Sequence, residues 1–183
     1  MTLTNTQARY GSLSIALHWL MLILLAVVYA CIELRGIFPK DSAERDLMKS
    51  LHFMLGLSVF VLVWLRLILK VTHPTPRIEP KPPAWQTGLA HLMHWALYAL
   101  MIGLPLAGWV ILSAAGKPIP FFGLELPALV APDTDLAKFV KGWHEWFGAL
   151  GYWLIGLHAL AGLYHHYVVR DNTLLRMLPQ KGD

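Results

Sequence analysis

Four long apolar runs leave this chain little choice of fold. They cover about Leu13–Ile32, Phe53–Leu69, Leu89–Leu112 and Trp146–Val168, each near the ~20 residues that a helix needs to cross the hydrocarbon of a bilayer. In a chain of 183 residues they leave no room for a separate soluble domain. A water-soluble four-helix bundle would carry Lys and Glu on its outward faces, yet only 14% of the residues are charged and 56% are hydrophobic. The expected fold class is therefore all-α, an integral-membrane four-helix transmembrane bundle. Residues 1–183 form a single transmembrane domain in this reading, with helices at about 13–32, 53–69, 89–112 and 144–168.

The first run is too long for a secretory signal and carries His18-Trp19, so it is expected to stay in the membrane. Cys31 is the only cysteine. That excludes an intrachain disulfide, a Cys₄ iron–sulfur cluster and a covalent Cys-x-x-Cys-His haem attachment. The formal net charge of +4 suits anionic lipid head groups or an anionic substrate, while its spread along the loops offers no platform for nucleic acid.

Between the runs, residues 33–49 mix Glu33, Arg35, Lys40, Asp41, Glu44, Arg45, Asp46 and Lys49, a water-facing and partly helical loop. Five prolines between His73 and Pro83 exclude a helix and predict an extended connector. Pro105, flanked by Gly103 and Gly108, predicts a kink in the third helix. Residues 114–142 read as a proline-broken, apolar strap over the end of the bundle. With the amino terminus inside, eight Lys and Arg face in and seven face out, so the positive-inside rule does not orient the chain.

The fourth run carries the chemistry. His144 and His158 are fourteen positions apart, about 1400° or four turns less roughly 40°, with a rise of about 21 Å. They share a helix stripe near opposite membrane faces, with Gly148 and Gly151 between them, where absent side chains let a flat macrocycle approach. Imidazoles in hydrocarbon are costly unless paired or ligating, and two in register predict two stacked haem b groups, each held by two axial histidines.

Alternating helices put His52 and His144 near one face, and His18, His91, His94 and His158 near the other. His52–His144 is then the least ambiguous iron-ligating pair. His158 pairs with His18, or else with His91 or His94; His18 is preferred because the first helix has no other use for a buried imidazole. Gly56 lies one turn after His52, and Arg66 lies fourteen positions after it at the other end. Arg66 is a snorkelling cation or a partner for a haem propionate. His165, seven residues beyond His158 on nearly the same line, could serve with His94 or His91 as a hydrogen-bonding group for a quinone. His73 and His166 read as surface histidines.

These residues resemble the bacterial cytochrome b561 family. The likeness is carried by Leu17-His18-Trp19, His52, Arg66, His73-Pro74-Thr75-Pro76, Leu89 to His94, Trp143-His144-Glu145, Gly156-Leu157-His158-Ala159, His165-His166 and Asp171 to Arg176. Residues 33–39 and 171–176 make the chain most similar to the short members that oxidise superoxide. The resemblance implies His18/His158 and His52/His144 as haem-iron axial ligands, and a bacterial inner-membrane location with both termini cytoplasmic. It implies superoxide as electron donor at the periplasmic side and ubiquinone as acceptor at the cytoplasmic end, with His94 and His165 as the quinone-contacting residues. No obligatory protein partner is evident. Two other readings compete: a cytochrome b subunit relaying electrons between a periplasmic redox protein and the quinone pool, and a metal-ion transporter. Against the transporter, the histidines cluster at the two ends instead of at mid-membrane.

Overall fold

The computed structural model describes residues 3–179; Lys181, counted above among the inward cations, lies outside them. Four long helices carry the fold: α1 (Ser12–Leu34), α2 (Ala43–Thr72), α3 (Ala84–Ala114) and α4 (Thr134–Tyr164). All four are long and apolar enough to cross a membrane. Exposed Leu, Val, Ile and Trp side chains line their outer faces, among them Val61, Leu92, Trp95, Trp153 and Leu160. Such a surface is stable only against lipid.

Two helices begin about ten residues before the apolar runs, because apolar counting stops at the first charges while helical hydrogen bonding does not. Ser42 caps α2 by accepting from the Arg45 amide, with Glu44 and Asp46 in the first turn to complement the helix dipole. Asp133 caps α4 by accepting from the amides of Asp135 and Leu136. At 30 and 31 residues these helices are about 45 Å long, so their charged first turns project beyond the ~30 Å hydrocarbon layer. His52 and His144 consequently sit inside their helices and not at the ends. The α1 start has no cap from Gly11 itself; Asn5 Oδ1 accepts from the Gly11 amide and the Ser14 hydroxyl instead.

The connector at 73–83 is free of helix, as its prolines require. Pro105 does not interrupt α3, which runs unbroken through it. After α4 the chain widens into a π-helical turn, His165–Val169, ended by Arg170 in the left-handed region (φ 61°).

The strap contains a hairpin that the sequence does not announce. Strands β1 (Ile119–Phe121) and β2 (Leu124–Leu126) pair antiparallel with Ile119 opposite Leu126. Phe122 (φ 48°) and Gly123 (φ 85°) make the turn, the conformation of a two-residue hairpin loop. A non-glycine residue is strained there by ~1–2 kcal/mol. The Phe122 amide donates to Met54 Sδ, and Ile119 packs with Leu57 and Leu112, which fastens the hairpin over one end of α2 and α3. A second core lies deeper, with Met21, Val59, Val63, Tyr98 and Met101.

Main-chain packing is close between α1 and α2, α2 and α3, and α3 and α4. Helix α4 faces α1 and α2 across side chains instead: His18 to His158, His52 to His144, and Tyr29, whose hydroxyl donates to the Gly148 carbonyl. Only Gly151 of α4 is buried by protein. The gap between α4 and the α1–α2 pair is where the site lies.

Candidate haem and quinone sites

The bundle has a hairpin end, capped by β1 and β2, and a terminal end, where the amino-terminal segment and the tail meet. Each holds one facing pair of imidazoles. His52 of α2 and His144 of α4 have ring centroids 6.2 Å apart with planes at 73°. His18 of α1 and His158 of α4 are also 6.2 Å apart, at 70°. Imidazole–metal bonds of about 2.0–2.1 Å, plus roughly 1.1 Å from ring nitrogen to ring centre on each side, would separate two trans ligands by about 6.3 Å. Both pairs therefore have the span of two imidazoles gripping one iron.

The donor set supports the same chemistry. His52 Nδ1 lies 3.0 Å from the Val28 carbonyl; only a protonated nitrogen can donate there, which leaves Nε2 with a free lone pair. His144 Nδ1 is buried with no partner at hydrogen-bond distance, the Leu104 carbonyl being the main-chain acceptor beside the ring. Gly108 of α3 lies beside the His144 ring, where an added Cβ would make an ordinary contact at 3.7 Å from Cε1. An added Cβ at Gly56 or at Gly148 would meet nothing within 4 Å. Both positions border open space, as room for a macrocycle demands. Gly151 differs from expectation. Its missing Cβ makes room for the Tyr29 hydroxyl, so it serves helix packing and leaves no clearance for a ring.

The terminal end is richer in polar groups. Arg66 of α2 donates from Nη2 to His18 Nδ1 at 2.7 Å and also bonds the Tyr98 hydroxyl. None of the ion pairs among the described residues includes it, and a half-buried cation at membrane depth without a counter-ion is unfavourable. Accepting at Nδ1 also ties the His18 proton to Nε2. For Nε2 to bind iron, Arg66 must release His18, and a propionate carboxylate has the charge and fork geometry to receive it. Lys70 lies 4.9 Å from the rings of both Trp95 and Tyr98. Of the two α3 alternatives, His91 is exposed, whereas the His94 ring is 5.3 Å from that of His158, about an ångström too close to grip an iron between them.

His165 remains on the His158 stripe, because its backbone is still α-helical. Its Nδ1 is 2.5 Å from Asp171 Oδ2. Sequence reading missed Asp171; the π turn and left-handed Arg170 that fold it back have no clear sequence signature. Burial pushes the Asp171 carboxyl up, but the bonds from His165 and Thr173 outweigh it and hold the group below the usual carboxylate range. Arg176 is buried, donates to the Pro76 carbonyl and lies over the Tyr10 ring. Burial lowers the Arg176 pKa, while Tyr10 and Asp171 act to raise it. The ring of His73, expected at the surface, has its Nδ1 2.8 Å from the hydroxyl of its neighbour Thr72.

At the hairpin end most cations are occupied. Lys49, Lys138 and Lys141 pair with Asp46, Asp135 and Glu145, and Arg45 donates to the Phe38 carbonyl. Arg35 donates to the Ile32 carbonyl, and its charge reaches the His52 ring. Among the described residues no three His, Cys, Asp or Glu side chains come together as a metal-ion site.

A family model described as prokaryotic cytochrome b561 matches residues 9–180. Cytochrome b561 homolog 1 of Escherichia coli (strain K12) is 43% identical over 173 residues, covering 94% of this chain and 98% of that protein. A protein of Yersinia pestis named probable superoxide oxidase CybB is 43% identical over 173 residues, covering 94% and 97%. Cytochrome b561 homolog 2 of the same Escherichia coli strain is 32% identical over 183 residues, covering 97% and 95%.

Proposed function

Since the chain belongs to the prokaryotic cytochrome b561 family, membrane electron-transfer proteins that bind b-type haem, we propose that it holds two such haems and oxidises superoxide with ubiquinone as acceptor. The observation that carries this reading is the pair of imidazole couples, one at each end, at the same 6.2 Å separation and both built on α4. His52 and His144 would hold the haem at the hairpin end, and His18 and His158 the one at the terminal end. When bound, the haems supply a one-electron path across the bilayer; the protein supplies position and potential.

The hairpin end faces the periplasm in this reading, and both termini lie in the cytoplasm of a cell whose inner membrane holds the bundle. Superoxide is the donor there, an activity that the Yersinia pestis relative carries in its name. Arg35 is the cation best placed to draw the anion in, because its charge reaches the His52 ring, while Lys49, Lys138 and Lys141 pair with carboxylates of their own. At the terminal end Arg66 turns to a propionate, while His94 and His165 offer ring nitrogens to the carbonyl oxygens of ubiquinone.

The test uses purified, haem-loaded protein in lipid, superoxide, a short-chain ubiquinone and no other protein. Haem reduction followed by quinol formation is the expected result. Haem that stays oxidised until a periplasmic redox protein is added would replace this reading with that of a relay subunit.

A further inference from the structure

The tail beyond α4 is built to hold one imidazole. Chain reversal through the His165–Val169 π turn and Arg170 returns Asp171 to His165: the Asp171 amide donates to the His165 carbonyl, and Asp171 Oδ2 takes the ring at Nδ1. The other carboxylate oxygen accepts from the Thr173 amide at 2.8 Å. The Asp171 side chain is wholly buried, while His165 keeps 19% of its side chain exposed. Asn172 then ties the reversal to the α2–α3 connector, donating to the Glu79 carbonyl and accepting from the Glu79 amide. A left-handed, non-glycine Arg170 is strained. Tolerating that strain to bring a carboxylate against a ring that stays partly exposed favours a role for the ring over one for the tail.

We propose that Asp171 is a positioning residue that locks His165 with Nδ1–H on the carboxylate and Nε2 outward, making His165 the proton relay for the quinone. The inference rests on the ubiquinone reading above and deepens it. Two superoxide anions each give up one electron and leave as O₂. The quinone takes up those two electrons and forms two O–H bonds. The oxygen that His165 faces takes its proton from His165 Nε2, whose N–H bond breaks as that O–H bond forms and which water at the membrane surface then reprotonates; the opposite oxygen takes its proton from water at the membrane surface. Asp171 stays ionised throughout and compensates the charge of the doubly protonated ring. The other titratable and charged groups that the structure places around the pair are Arg176 of the tail, Tyr10 facing Arg176, and Tyr164, whose ring lies 6.1 Å from that of His165. None of them is a second carboxylate.

The experiment compares wild type, Asp171→Asn and Asp171→Glu as haem-loaded full chains in lipid, with superoxide and a short-chain ubiquinone. Expected for Asp171→Asn are an unchanged visible spectrum and unchanged haem reduction. Quinol formation should be slower by on the order of 10²-fold, as for loss of a positioned general acid, and should fall away at lower pH than in wild type. Asp171→Glu should restore part of the pH profile, and it stands in if the Asn variant does not keep its haem. An Asp171→Asn protein with wild-type rate and pH profile overturns the inference. Wild type that reduces its haem yet forms no quinol overturns the ubiquinone reading itself, a separate result.

Discussion

The two ends of the bundle hold the same imidazole couple in opposite surroundings. At the hairpin end, His52 is held by a main-chain carbonyl, His144 packs against Gly108, and Phe53, Trp109 and Phe121 pack into the core beneath the β hairpin. At the terminal end the couple is surrounded by Arg66, His94 and Tyr98, with His165, Asp171 and Arg176 in the tail nearby. Equal spacing with unequal polarity separates two tasks. Identical spans serve passage of an electron, which needs only a ligated iron. At the terminal end a carboxylate-held imidazole lies near the couple, as serves a reaction in which electrons and protons must meet. At the hairpin end the titratable groups are mostly tied up in ion pairs and hydrogen bonds of their own, which suits an electron donor that brings no proton.

The comparison can be broken one end at a time. The largest effect should come from the axial ligands: His144→Ala should abolish haem binding at the hairpin end alone and His158→Ala at the terminal end alone, read as haem per chain. Loss of both haems from either variant would show that the ends are not independent. Next, Arg35→Gln should lower the second-order rate with superoxide by about 10-fold at low salt and by little at high salt, as steering requires. A flat salt dependence in wild type would remove Arg35 from the scheme. Arg66→Leu should lower the potential of the terminal-end haem by on the order of 60 mV, equivalent to a tenfold change for one electron, because a lost cation disfavours the reduced form. The hairpin-end potential should hold still, and spectroelectrochemical titration separates the two. Smallest, Tyr29→Phe removes the bond to the Gly148 carbonyl and should cost about 1 kcal/mol of stability, seen as a modest fall in Tm with both haems retained.

Much of this was legible in the sequence because it depends on helical period. Fourteen residues between His144 and His158, and between His52 and Arg66, fix azimuth and depth together, so the His52–His144 couple and the cation at the far end could be placed from spacing, whereas His18, His91 and His94 stayed open as partners of His158. The prolines at 74–83 fixed the connector in the same local way. What escaped depends on geometry without a period. The start of α2 was placed late, because counting apolar runs leaves Glu44, Arg45, Asp46 and Lys49 in a loop read as only partly helical, although Ser42 is a cap signal in plain sight. The hairpin was hidden because a phenylalanine takes a turn position where glycine or asparagine is usual. Asp171 was hidden most deeply, since a π turn shifts the register by which a partner six residues away is judged. Gly151 was read as clearance for a cofactor because spacing alone cannot tell a gap from a seat for Tyr29.

Everything rests on two irons per chain, each gripped by one histidine of α4 and one from across the gap. Haem and protein quantified together in the purified, lipid-embedded chain test this most directly. The account predicts two b-type haems per chain, both low-spin in the oxidised and the reduced visible spectrum. One haem per chain, or a high-spin spectrum at either site, would contradict it.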